Sequence, residues 1–144
     1  MLSNIFYGLT TMAVCLFMQA LLLLVALRYY AHHGTLVNSP SFRLSLRVVL
    51  MVMMILVIGN IIQVGIWALL FQLLGEFPEF NTAFYHSAVN FATLGYGDIV
   101  MSEDHRLLGP LQAINGVLMI GVSTAALMSA FQDALKKTQR ARQE

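Results

Sequence analysis

Along the chain, apolar positions gather into three long runs separated by two polar stretches. The first runs from Ile5 to about Tyr29, with Gln19 its one strongly polar mid-run residue and Thr10 and Thr11 near its start. A helix of that length and character crosses the hydrocarbon layer of a bilayer. The second occupies Arg43 to Leu74, entered through an amphipathic segment of Phe42, Leu44 and Leu46 with Arg43 and Arg47. Counted from Val48 it holds about 27 residues, enough to cross with some tilt. The third extends from Leu107 to about Leu135. Gln19 predicts a helix-to-helix hydrogen bond. Asn60 and Gln63, three apart and so on one face, predict contact with other protein at mid-membrane depth, either the first span or the back of a neighbouring helix.

The polar stretches differ in kind. Ala31 to Phe42 reads as a short linker built on the turn formers Gly34, Asn38, Ser39 and Pro40. Its His32-His33 pair has no further ligand nearby and adjacent side chains diverge, so an inert loop, and after it a lipid-facing or pH-responsive pair, outranks a metal site. Gly75 to Arg106 contains Pro78 and the acids Glu76, Glu79, Asp98, Glu103 and Asp104, which excludes a span. Within it, Phe80 to Ala92 reads as a helix with Asn81 as a candidate cap. Twelve or so residues rise only about 18 Å, so this helix dips into the membrane and returns.

Composition fixes the class. With 58% hydrophobic residues, 10% charged residues and a mean hydropathy of +0.74, the chain cannot clothe a soluble surface, which uses about 25% charged residues. An all-α integral membrane protein of one domain is expected. The first charged side chain, Arg28, follows the uncharged stretch from Ile5 to Leu27 instead of preceding it, and that stretch exceeds the usual signal-peptide apolar region, so it is read as a span and not as a signal peptide. Cys15 is the single cysteine, which rules out an intrachain disulfide. There is no zinc or haem spacing, no nucleophile–base pair and no acidic pair within a span. No enzyme activity, no cofactor and no nucleic-acid partner is expected.

Charge gives the orientation. On one side of a three-span arrangement lie Arg28, Arg43, Arg47, Lys136, Lys137, Arg140 and Arg142 with Asp133 and Glu144, a net +5. On the other lie Glu76, Glu79, Asp98, Glu103 and Asp104 with Arg106, a net −4, and the two together give the chain's +1. Lys and Arg mark the cytoplasmic side, here seven to one. The N-terminus is then outside, the C-terminus inside, and the acidic hairpin enters from outside, most simply across the plasma (cell inner) membrane.

That hairpin carries Thr93-Leu94-Gly95-Tyr96-Gly97-Asp98 directly after the short helix. A G-x-G pair alone is common. Adding the tyrosine, the aspartate and the threonine lowers the chance occurrence to about one in ten thousand. Two glycines around one bulky residue open left-handed backbone conformations, and an alternating run aims successive carbonyls one way. Irregular backbone at membrane depth survives only where protein buries it or water bathes it, and a ring of carbonyls can replace an ion's hydration shell. A helix C-terminus pointing at the same place adds negative potential that favours a cation.

On these residues the chain resembles the potassium channel superfamily, whose filter loop reads T-V-G-Y-G. The resemblance implies an additional N-terminal span at 1–30, a cytoplasmic linker at 31–43, a pore domain at 44–135 and a basic cytoplasmic tail at 136–144. Within the pore domain it implies an outer helix (44–74), a pore helix (80–92), a filter (93–98) and an inner helix (107–135). It further implies a homotetramer in membrane lipid, passing K+ coordinated by Thr93, Leu94, Gly95 and Tyr96, with Gly97 enabling the turn and Asp98 bracing the outer mouth. Leu94 stands where Val or Ile is usual. Tyr85 and His86 stand where many relatives carry paired tryptophans; the tyrosine hydroxyl is placed to bond Asp98. His86 has two readings, a neutral packed side chain or a link from external pH to the filter. Val89 replaces a glutamate that pairs with the aspartate in some bacterial relatives. In the third span, Gly116 resembles a mid-helix hinge, Gly121 fits close packing, Asn115 is a candidate cavity residue, and Ala126, Ser129 and Ala130 are candidates for the inner entrance. The rival readings are a weakly selective cation channel of the same fold and a non-conducting regulatory or scaffold subunit.

Overall fold

The first apolar run holds no proline and no mid-run charge, and it folds as one helix, α1 (Leu2–His32). The computed structural model describes residues 2–37, 42–141 and 143. A four-residue turn of helix, α2 (Gly34–Val37), follows α1; the expected turn residues Asn38, Ser39 and Pro40, and the tail residues Arg142 and Glu144, lie outside the described residues. The second run forms α3 (Phe42–Leu73), the short polar-flanked segment forms α4 (Phe80–Phe91), and the third run forms α5 (Leu108–Arg140). Among the described residues there is no strand. The chain is an all-α membrane protein with three apolar helices of 31, 32 and 33 residues. At 1.5 Å per residue these are about 46–50 Å long, more than the roughly 30 Å apolar layer requires. Helix α4, with 12 residues, falls well short of it.

The boundaries differ from the sequence reading in three instructive places. Helix α5 continues past Leu135 to Arg140, because Lys136-Lys137-Thr138-Gln139 contains no breaker and the last-turn cations Lys137 and Arg140 suit the helix's negative end. Pro110 sits in its first turn, where a missing N–H costs nothing. Helix α4 begins at Phe80 as read, but the capping position is Glu79, held extended after Pro78, and not Asn81; Glu79 makes no side-chain cap bond. Helix α3 ends in a glycine-type cap, Gly75 (φ 77°) with Glu76 N–H donating to the Phe71 carbonyl at 3.1 Å and Gly75 N–H to that of Gln72 at 3.0 Å.

The described residues fall into two compact units, Met1–Met18 with Asn60–Ile120, and Gln19–Gly59 with Gly121–Glu144. In the first, Cys15, Trp67, Ala68, Phe71, Phe77, Ala83 and Leu108 form the apolar core, and Val64, Phe91 and Met119 form a second cluster around the end of α4. Polar side chains knit this core. Ser87 donates to the Val64 carbonyl at 2.7 Å, and Gln112 Nε2 donates to the Ser87 carbonyl at 3.0 Å and to its hydroxyl, so α4 is tied to α3 on one side and α5 on the other. Asn115 is fully buried beside Cys15. Packing, not an open cavity, is its surrounding.

In the second unit Val37, Val48, Val49 and Ala134 form one cluster and Ala26, Val52 and Leu56 another. Gln19 Nε2 donates to the Ser123 hydroxyl at 2.9 Å, the helix-to-helix bond that a lone mid-span glutamine calls for. Of the three entrance candidates, Ser129 is exposed, whereas Ala130 is buried and Ala126 packs against the Ala26 cluster.

Candidate functional site

The site starts at the end of α4. The Thr93 N–H donates to the Asn90 carbonyl at 2.9 Å and the Leu94 N–H to the Val89 carbonyl at 2.9 Å. This is the same two-bond cap that closes α3, with Thr93 where α3 has Gly75. Thr93 accordingly has φ 58°, and it is the one non-glycine residue with positive φ among the described residues. A β-branched residue in the left-handed region is strained by about 1–2 kcal/mol, and such strain persists only where surrounding structure enforces it.

The strain is not isolated. Gly95 (φ 59°) and Gly97 (φ 72°) are also left-handed, while Leu94, Tyr96 and Asp98 are not. Every second residue from 93 to 97 has inverted sign. Alternation of this kind segregates N–H groups to one edge of a strand and carbonyls to the other, producing a row of oxygen donors. All six residues from Thr93 to Asp98 are exposed, including two large side chains, Leu94 (54%) and Tyr96 (65%). Thr93, Gly95 and Gly97 line an open cavity of about 540 Å³ that is also walled by α4 through His86, Val89 and Asn90 and by the start of α5 through Gly109, Pro110 and Ala113.

Two consecutive α4 residues hold the far end of this segment. The Tyr85 hydroxyl donates to Asp98 Oδ2 at 2.7 Å. That bond, aided by backbone N–H groups of Asp98 and Ile99, holds the Asp98 carboxyl below its ordinary value of 3.8, and the same carboxylate pushes the Tyr85 phenol up. His86 is buried, its ring 5.6 Å from that of Phe71 and 5.0 Å from that of Phe77. Asn90 Nδ2 donates to His86 Nε2 at 2.9 Å, which leaves Nδ1 as the protonated nitrogen, donating to the Ile99 carbonyl at 3.0 Å. Both bonds are made by the neutral ring. Burial lowers the His86 pKa from 6.5, outweighing the Ile99 carbonyl and the Asp98 and Glu76 carboxylates, which act the other way.

Gly116 belongs to the site as well. A Cβ there would lie 2.0 Å from the Phe91 carbonyl oxygen and 2.8 Å from its carbon, so α5 touches the last turn of α4 backbone to side. By contrast, nothing lies within 4 Å of a Cβ built on Gly121.

A third support was not legible in the sequence. Glu76, whose side chain is 5% exposed, accepts from the Ser102 N–H at 2.7 Å, the Ser102 hydroxyl at 2.6 Å and His105 Nδ1 at 2.5 Å. Burial raises the carboxyl, but Ser102 and His105 together carry it below 4.5. This clamp joins the loop before α4 to the loop after residue 98. Nothing at a separation of 26 residues announces such a pair. The His32-His33 pair is held locally, with His33 Nδ1 against the Tyr29 carbonyl at 2.9 Å and its ring tilted by 36° against that of Tyr29, centres 4.3 Å apart.

Residues 54–133 match the family model described as "Ion channel", the two-transmembrane, potassium-channel type of domain. The chain belongs to this ion channel family. The match covers most of α3, all of α4, the alternating segment and α5 through Asp133. The channel's α1 lies outside the matched residues. No solved structure matches the chain.

Proposed function

We propose that this channel is potassium-selective and works as a homotetramer, with the backbone carbonyls of Thr93, Leu94, Gly95 and Tyr96 and the Thr93 hydroxyl as ion ligands. The observation that carries the reading is the sign alternation at Thr93, Gly95 and Gly97 directly beyond a short helix. An all-oxygen donor set suits a hard, singly charged cation, and carbonyl dipoles replace water without trapping the ion as carboxylates would. Four helix C-termini directed at the same ions add to the negative potential. One chain supplies one row of oxygens, and a cage requires several. The exposed Leu94 and Tyr96 are the kind of apolar surface that neighbouring subunits cover.

In this reading Tyr85 and His86 take the bracing role: one fixes the Asp98 carboxylate, the other the next carbonyl, at Ile99. Gly116 lets α5 lie against the filter's root, and any hinge at that position bends next to a backbone contact. The positive-inside count supports an N-terminus outside and a C-terminus and basic tail in the cytoplasm, with the filter mouth outside; the membrane proposed is the plasma (cell inner) membrane.

The test is flux from liposomes containing the purified protein. Potassium and rubidium should pass and sodium should be rejected, with a reversal potential that follows the potassium gradient. Equal sodium and potassium permeability would favour the weakly selective reading, and a folded tetramer with no cation flux would favour the non-conducting subunit.

The neutral His86 sets a pH window. A histidine whose folded pKa lies below 6.5 contributes stability that is present above that pH and lost as pH falls, because the unfolded chain takes up the proton first. The thermal midpoint of the protein should therefore drop as pH is lowered from about 7 to 5, the range of ordinary histidine titration. His86→Gln, which keeps a donor and an acceptor, should flatten that slope. Identical slopes in the two proteins would remove His86 from the account.

A further inference from the structure

Helix α1 lies outside the matched domain, yet within the unit formed by Gln19–Gly59 and Gly121–Glu144 it is bound to α5 by polar contacts of unusual convergence. The Tyr30 hydroxyl donates to Asp133 Oδ2 at 2.8 Å. Lys137 Nζ reaches the same oxygen at 2.7 Å, and it also stands 5.5 Å from the centre of the Tyr30 ring. One aromatic side chain of α1 thus meets both a carboxylate and an ammonium of α5, which are themselves a turn apart. The Tyr30 ring packs on both apolar clusters of the unit, so its hydroxyl is aimed and does not swing freely. Eleven residues earlier on α1, Gln19 bonds Ser123 of α5.

We propose that Tyr30, Asp133 and Lys137 form a latch through which the first helix holds the C-terminal turns of α5 and thereby sets how readily the channel opens. The inference rests on the proposed channel function, with α5 as the inner helix of the pore that the resemblance implies. Asp133 and Lys137 are partly exposed, so water and salt compete for the pair and its strength is modest. A phenol donating to a charged acceptor adds a contact worth about tenfold in an equilibrium constant. A contact of that size is strong enough to bias two positions of a helix end and weak enough to release thermally. It biases opening only to the extent that it differs between the two positions. Tyr30 is on this account a positioning residue; it touches no ion.

The experiment compares wild type, Tyr30→Phe and Asp133→Asn in planar bilayers at symmetric potassium. Tyr30→Phe keeps the ring, its packing and its contact with the Lys137 ammonium, and removes the one donor, so it is expected to fold. Open probability should change by about threefold or more in each variant, with unitary conductance and the potassium-to-sodium reversal potential unchanged. The double variant should fall short of the sum of the two single changes, since both act on the Tyr30–Asp133 contact. A purely structural contact would lower the yield of tetramer and leave open probability alone. Nitroxide labels at the exposed Gln139, on a Cys15→Ala background, supply a second readout by pulsed electron resonance. The label-to-label distance distribution should shift or broaden in Tyr30→Phe. If the wild type conducts nothing, the channel reading fails and the label distances alone decide the latch. Open probabilities indistinguishable from wild type in both variants overturn it, as do unchanged distances in a protein that does not conduct.

Discussion

Gly116→Ala is expected to abolish the properly assembled protein, whereas Gly121→Ala is expected to be neutral or mildly stabilising. The added methyl at 116 would lie 2.0 Å from the Phe91 carbonyl oxygen, a backbone atom in the last turn of α4 that cannot rotate away. Either α5 backs off or α4 shifts with the segment it carries. Overpacking in a close-packed interior costs about 1–3 kcal/mol when side chains can give, and more when backbone must. We expect at least about 3 kcal/mol, a large part of a typical stability margin. At 121 the methyl meets nothing, and alanine gains up to about 1 kcal/mol in helix propensity over glycine. Thermal unfolding in detergent, with particle size, checks both. A Gly116→Ala protein as stable as wild type but altered in opening would mean that the position serves bending and not close approach.

Gly95→Ala carries the second large effect. Its φ of 59° places an alanine in the left-handed region, at a cost of about 1–2 kcal/mol in each chain. Nothing in the same chain collides with that methyl, so the fold should survive and the strain should be relieved locally, by turning the peptide out of the row. Misdirecting one carbonyl removes a ligand. Since about 1.4 kcal/mol is a factor of ten, sodium permeability relative to potassium should rise at least about tenfold, or conduction should cease. The measurement is the reversal potential under mixed ions, read beside an unchanged tetramer. Unaltered selectivity would mean that the Gly95 carbonyl is not a ligand.

Periodicity and length made the three long helices and the short one between the second and third legible, because burial in lipid demands long apolar runs and penalises everything else. Boundaries were read less well where no breaker stands. Lys136 to Arg140 looked like a tail because it is charged, but charge does not end a helix whose propensities are favourable. The alternation at residues 93–97 was legible from the glycines alone at two of its three positions; Thr93 was not, because its left-handed geometry is imposed by the helix cap and not by its side chain. The contact between Tyr85 and Asp98 was legible through spacing in a known pattern. The Glu76 clamp and the double bond of His86 to Ile99 and Asn90 were not, since each depends on loop paths that no local signal encodes. Gly116 was legible as a special glycine, while the carbonyl it makes room for becomes visible only once α4 and α5 are in place.

The most direct measurement is a map of the assembled protein in potassium at a resolution that places carbonyl oxygens. Four chains should surround one axis, with the oxygens of Thr93, Leu94, Gly95 and Tyr96 facing it and ion density between successive layers that weakens when sodium replaces potassium. Oxygens directed away from the axis, or an assembly lacking fourfold symmetry, would contradict the account.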